Sequence, residues 1–261
     1  MARLDMMLNG QLFSYNGESD ETLKECRDLF MKAAESDVKA PEIPKGFPKG
    51  HRILSSKVKR LIGGNIDDII SEITSGNLLL NVGDSIQCLL TTGQNVTFEV
   101  TDVDDVGYRL EMKELLETMP HTDVREWYDK FYNSMLPDSL REAIIPTRRV
   151  YKKNGNGDLV ELHAKIFMPS ASEVFSEEEF EENSWLGDKG VYKQLDFYKD
   201  WRNRIRCTVE DGKPNAWWLL SADAGNFTSF VFVTDDGYCN ANSATTTWVA
   251  APVCFRIRKS R

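Results

Sequence analysis

Two hydrophobic periods alternate along the chain. Leu23, Cys26, Leu29, Phe30 and Ala33 recur at helical spacing, with Ser19 as a cap and Asp20 and Glu21 in a first turn, where the helix dipole favours anions. This predicts an amphipathic helix over 19–36 that packs on the main domain or on a partner chain. Residues 40–50 contain Pro41, Pro44 and Pro48, which cannot continue a helix, and read as a linker. A second short helix follows: Asn65 caps it, Asp67 and Asp68 fill its first turn, Ile66, Ile69, Ile70 and Ile73 share a face, and Gly76 ends it.

From residue 78 the period becomes two. Ile86, Cys88 and Leu90 alternate with more polar positions, as do Val96, Phe98 and Val100, and then Tyr108, Leu110 and Met112, with turn residues at 92–95 and 104–107 between them. That is an antiparallel meander. Helical spacing returns over 122–145: Val124, Trp127, Tyr128, Phe131 and Tyr132 make one face, and Leu140, Ile144 and Ile145 another after Pro137. Asn154-Gly155-Asn156-Gly157-Asp158 reads as a hairpin turn, since its glycine and distal acid are out of register for a calcium loop. The acidic run over 176–182 reads as a solvated helix face. Strands, helices and then more strands indicate an α+β fold.

The last third concentrates the aromatic residues, for all six tryptophans lie at or beyond Trp127. Trp217 and Trp218 are adjacent, so in a strand one indole enters the core and the other covers the opposite side of the sheet. Phe230 to Val233, a Thr234-Asp235-Asp236-Gly237 turn and a final strand over 253–257 follow.

Charge and cysteine usage narrow the function classes. There are 32 basic and 41 acidic residues, a formal charge of −9, which disfavours a non-specific nucleic-acid or anionic-membrane binder. No apolar run reaches ~18 residues, so membrane insertion is not expected. The first fifteen residues lack the pattern of a secretory signal, so synthesis in the cytosol is expected. Cys26, Cys88, Cys207, Cys239 and Cys254 have no C-x-x-C spacing and are expected to be reduced, with no metal site and no cofactor. His51, His121 and His163 are far apart in sequence, and no zincin, nucleophile-elbow or phosphate-loop motif occurs.

Several short motifs then occur in a distinctive order. They are Gly83-Asp84-Ser85-Ile86, the Trp127 helix, Ser139-Leu140-Arg141, Lys165-Ile166-Phe167 leading into Ser170-Ala171-Ser172-Glu173, and Trp217-Trp218-Leu219-Leu220-Ser221. In this order the chain resembles an uncharacterised bacterial and phage branch of the C-type lectin-like fold. Formylglycine-generating sulfatase-modifying domains and the variable proteins of diversity-generating retroelements share that fold. The final segment departs from the branch: Ala251-Pro252-Val253-Cys254-Phe255-Arg256 stands where Gly-Val-Arg-Pro-Ala is usual. The resemblance spans 78–258 and implies a C-type lectin-like domain there, its first and last strands paired in one sheet. Residues 1–50 are expected to form a helical extension with its linker, and 51–77 a short helix leading in.

Residues 221–247 contain no Lys, Arg, Glu, Gln, His, Met or Pro, and their only charges are Asp223, Asp235 and Asp236. Small hydroxyl and amide residues mixed with Phe and Tyr resemble the composition of antibody paratopes, and also what retroelement mutagenesis of asparagine codons leaves behind. Turn and strand propensities alone account for part of this composition. The candidate ligand contacts are Asn226, Phe227, Thr228, Tyr238, Asn240, Asn242, Ser243, Thr245, Thr246 and Trp248, with Trp218 and Phe230 assigned to the core. The calcium-dependent sugar motifs Glu-Pro-Asn and Trp-Asn-Asp are absent.

The expected function is therefore non-catalytic recognition of a protein or glycan ligand without metal, in a phage or prophage setting. The alternatives are a structural or virion-assembly protein, joined through the N-terminal helix to copies of itself or to a larger complex, and an oxidase of the formylglycine-generating type. In that last case Cys239 and Cys254 stand in for a close cysteine pair.

Overall fold

The computed structural model describes residues 2–8, 11–17, 56–57 and 59–259. It divides into two compact units, Met1–Arg60 and Leu61–Arg261. In the first unit, β1 (Ala2–Leu8) and β2 (Gln11–Gly17) form an antiparallel hairpin, and β3 (Ser56–Lys57) pairs with β2. Asn9-Gly10, the two residues between β1 and β2, is a strong hairpin signal that a helix-centred reading of this extension passes over. The helix expected over 19–36 and the linker over 40–50 lie outside the described residues.

The second unit opens with β4 (Leu61–Ile62) and α1 (Ile66–Ser75). The local signals of α1 are all realised. Asn65 Oδ1 accepts the Asp67 N–H at 2.8 Å, Gly76 takes the left-handed conformation (φ 84°), and Ile69, Ile70 and Ile73 are buried. The meander follows as β5 (Ser85–Leu89), β6 (Asn95–Val103) and β7 (Gly107–Met112). The chain returns to this sheet in β9 (Ile144–Ile145) and β17 (Cys254–Arg258), giving six strands in the order β4-β5-β6-β7-β17-β9. Ile86 stands opposite Phe98, Phe98 opposite Met112, and Leu110 opposite Phe255, so one face is continuously apolar. It packs on α1, on α2 (Val124–Lys130) with its π-helical continuation Phe131–Met135, and on α3 (Asp138–Ala143).

Two features of this sheet differ from the pattern expected of the sequence. Ile144 and Ile145 do not continue the helix. They form β9, paired with Ile257 and Arg256 at the sheet edge. Two β-branched residues are too few to carry a period, and their partners lie over a hundred residues away. Second, β5 and β17 share a sheet but are not neighbours, because β6 and β7 lie between them and β17 pairs with β7 and β9.

Smaller sheets complete the unit. β10 (Thr147–Lys152) and β11 (Leu159–Ala164) form the hairpin whose turn carries Asn154 and Gly155 at positive φ. β12 (Arg206–Thr208) lies between β13 (Pro214–Asn215) and, in parallel, β8 (Glu114–Leu115). β14 (Trp217–Ala222), β15 (Ser229–Val233) and β16 (Cys239–Ser243) form a three-stranded antiparallel sheet. Two further short helices, α4 (Ala171–Val174) and α5 (Glu177–Glu182), each begin with a capping box, at Ser170 and Ser176. The acidic run is α5, with Phe180 as its buried residue. The whole is a mixed α+β fold with mostly antiparallel sheets.

Trp217 and Trp218 are both fully buried, on opposite faces of β14. Trp218 joins the core under the six-stranded sheet, and its Nε1 donates to Met119 O at 2.9 Å. Trp217 joins a second core with Phe175, Tyr198 and Val231, and its Nε1 donates to Arg204 O at 2.8 Å. The three-stranded sheet is thus anchored from both sides.

Candidate functional site

The register of the β14-β15-β16 sheet determines which candidates share a face. Trp218 stands opposite Phe232, Phe232 opposite Asn240, and Phe230 opposite Asn242. These five residues therefore lie on one side. Along it, burial falls from Trp218 to Asn240, which is exposed at the outer strand. Phe230 is half-buried rather than fully in the core, and His121 stacks on it with ring centroids 3.6 Å apart.

β16 is an edge strand. Thr234 N–H bonds to Tyr238 O and Ala244 N–H to Thr228 O, so by alternation the N–H groups of Ala241 and Ser243 point away from β15. Each is met at 2.8 Å by the Oδ1 of the preceding Asn240 or Asn242. The two asparagines thereby cover an edge that carries no Lys or Pro.

The candidate residues separate into two groups at opposite ends of β15, roughly 13 Å apart at ~3.3 Å per residue. At one end lie Asn226, Phe227 and Thr228, with Asn242, Ser243, Thr245 and Thr246 beside them. Most of their polar groups are used in building loops. Asn226 Oδ1 accepts from the Thr228 N–H and hydroxyl, Asn226 Nδ2 donates to Ser229 Oγ at 3.0 Å, and Ser243 Oγ pairs with Thr245 Oγ1 at 2.9 Å. Phe227 projects from this end, 69% exposed. At the other end are Tyr238 (67% exposed), Asn240 and Trp248 (50% exposed). Trp248 stands edge-on to Phe232, centroids 5.3 Å apart. Trp248 and Asn240, with Asn215, Ala216, Phe232, Thr234 and Asp235, line a cleft of about 250 Å³. Asn215 and Asp235 are not among the candidates read from sequence, because they come from a different strand and a tight turn.

Beneath the sheets lies a charged cluster that strand alternation does not foresee. Arg109, Glu111, Arg149, Glu173 and Arg206 are all nearly or fully buried. Glu173 accepts from Arg109 Nη1 at 2.5 Å and from Arg149 Nη1 at 2.8 Å, with a second, shorter bond from Arg149 Nη2. Glu111 receives Thr101 Oγ1 at 2.9 Å together with Arg206 and the Tyr198 hydroxyl. Arg109 Nη2 approaches Glu111 Oε1 to 2.9 Å as an ion pair without hydrogen-bond geometry, so it and Nε are left without a hydrogen bond. Burial works to raise the Glu173 pKa, and the guanidiniums of Arg109 and Arg149 overcome it, holding the value at about 2. Arg149 also lies over the rings of Phe167 and Tyr192, and Arg206 over Trp217. The cluster joins β7, β10, α4 and β12 from inside and leaves its charges away from solvent.

Cys239 in β16 and Cys254 in β17 lie in different sheets. Burial pushes both thiols up, Cys254 well above the ordinary value, with Glu111 adding to the rise there and Glu179 at Cys239. Among the described residues, no three His, Cys, Asp or Glu side chains gather as a metal site, and no helix is long and apolar enough to cross a membrane.

The model of a family described as a domain of unknown function, DUF6273, matches residues 111–259. The chain belongs to this family. No curated protein and no solved structure matches it. The DUF6273 region begins at Glu111 within β7 and takes in all ten candidate residues, the cleft and every member of the buried cluster except Arg109. The amphipathic helix α1 and strands β4 to β6 of the same unit precede it.

Proposed function

We propose that this DUF6273 chain is a non-catalytic recognition protein that binds a neutral ligand through the exposed aromatic and amide residues around the β14-β15-β16 sheet. One observation carries the reading. Phe227, Tyr238 and Trp248 stand half or more exposed on a framework that buries Trp217, Trp218, Val231 and Phe232. Large aromatics held rigidly at a surface, beside amides and hydroxyls, supply contact area at low entropic cost. The nearly uncharged composition of 221–247 and the resemblance to C-type lectin-like domains support the same surface. That resemblance also underlies the phage or prophage setting and retroelement diversification proposed with it. The raised thiol pKa values of Cys239 and Cys254 disfavour the thiolate that an oxidase reading needs.

The test is the full chain displayed against neutral glycans and extended peptides, beside a Tyr238→Ala/Trp248→Ala double variant. The expected outcome is a ligand that the variant binds at least about tenfold more weakly, with cooperative thermal unfolding retained. Equal binding by both proteins overturns the assignment of this surface.

A further inference from the structure

The cleft between Trp248 and the Thr234–Asp236 turn carries a more specific chemistry. Its polar groups are arranged in a way the fold does not use up. Asn215 Oδ1 is turned back onto the Ala216 N–H at 2.9 Å, and Asn240 Oδ1 onto the Ala241 N–H at 2.8 Å. With each oxygen committed to its own backbone, both Nδ2 groups are left as donors without an intramolecular acceptor among the described residues. Asp235 is exposed and has no ion-pair or hydrogen-bond partner among the described residues. Thr234 is different: its hydroxyl is occupied by Asp236 Oδ1 and the Tyr238 backbone. The apolar side of the cleft is the half-exposed Trp248 indole, with buried Phe232 and Ala216 behind it.

From this juxtaposition we infer that the cleft is a subsite for one ring of an uncharged saccharide, stacked on Trp248 and hydrogen-bonded by Asn215, Asn240 and Asp235. The inference rests on the recognition reading above and names its ligand class. Four features select that class. An anion meets no Lys or Arg in the cleft lining and is repelled by Asp235. A simple cation suits Asp235 and the indole face but leaves two amide donors pointing at positive charge. A purely apolar group strands three polar side chains without partners. A sugar ring presents hydroxyls that accept from the amides and donate to the carboxylate, and a C–H face for the indole. The volume agrees: about 250 Å³ is below the ~300–1,000 Å³ of drug-sized sites, which suits a single ring at the end or edge of a longer chain.

The experiment is a printed panel of neutral and acidic glycans probed with the full chain, followed by titration of the best binder against wild type, Trp248→Ala and Asn240→Asp. Asn240→Asp keeps the shape of the side chain and replaces its donor by a charge, so it tests the site without opening the Trp248 contact to Phe232. The expected result is binding to neutral glycans, weakened about tenfold or more by each substitution, while the unfolding transition of Asn240→Asp stays at the wild-type temperature. Binding of acidic glycans alone overturns the inference, as does neutral-glycan binding indifferent to both substitutions. A panel with no bound glycan, beside a peptide that binds in a Trp248-dependent way, overturns the saccharide class and leaves the recognition surface standing. Silence from glycans and peptides alike overturns both.

Discussion

The imidazole of His121 lies flat on the ring of Phe230, with centroids 3.6 Å apart and planes 16° from parallel. The same ring meets Trp218 edge-on at 5.5 Å, and its Nε2 donates to Leu219 O at 3.2 Å. A carbonyl acceptor requires a proton on Nε2, and the neutral ring in that tautomer supplies it. His121 is the bracket between the 3₁₀ turn His121–Asp123 and the candidate sheet.

That bracket makes the fold acid-sensitive. Burial lowers the His121 pKa from 6.5 to about 4, partly offset by the bond to Leu219. Because the folded value lies below the unfolded one, the stabilisation is complete above pH 6.5 and is lost as pH falls toward 4. Urea unfolding from pH 7 to 4 should show a loss on the order of 2–3 kcal/mol. His121→Phe keeps the stack and removes the titration, so its stability should be flatter over this window. A parallel decline in both proteins would assign the acid sensitivity elsewhere.

Glu173 should be far more costly to remove than an ordinary surface glutamate. Glu173→Ala leaves the Arg109 and Arg149 guanidiniums buried without their shared carboxylate. The expected loss is about 3–5 kcal/mol in chemical denaturation. Its folded pKa of about 2 adds a second acid limb: stability present above pH 4.5 is lost as pH falls through 2. A loss under ~1 kcal/mol for the alanine variant would show that the cluster is not what joins the layers.

Gly187 is the tightest of the glycine contacts. A Cβ there would stand 1.8 Å from the Ala222 carbonyl oxygen, whereas at Gly93 nothing lies within 4 Å. Gly187→Ala must push the Leu186–Asp188 segment off β14, where Ser221 Oγ bonds to Asp188 Oδ2 at 2.5 Å. We expect a cost of about 3 kcal/mol, against roughly 1–2 kcal/mol for Gly93→Ala, where only the left-handed backbone is strained. Thermal unfolding of the two variants side by side distinguishes them. Equal shifts would mean that the segment relaxes freely.

Local signals carry much of this fold. α1 is legible to its caps because Asn65, Gly76 and the isoleucine stripe each act within a turn or so of their neighbours. The meander is legible because alternation and turn chemistry are equally short-range. Ile144 and Ile145 read as helix because the partner that makes them a strand, β17, is remote in sequence. At β7, alternation identifies Tyr108, Leu110 and Met112 as one face and places Arg109 and Glu111 on the other, which a half-buried sheet turns to solvent. All six residues of β7 are buried, because α4, β12 and Tyr198 supply a second layer and opposite charges.

The same division holds at the candidate site. The sequence by itself determined that residues 221–248 are nearly uncharged and rich in aromatics, that Trp217 and Trp218 point opposite ways, and that a turn precedes Tyr238. Those properties follow from composition and from backbone periods of two and 3.6. Only the tertiary structure decided that Ala244 bonds back to Thr228, that Asn240 faces Phe232, and that Asn215 and Asp235 reach the cleft at Trp248. Strand register and the covering of a face depend on contacts between distant segments, and a one-residue change of register moves every side chain to the other side.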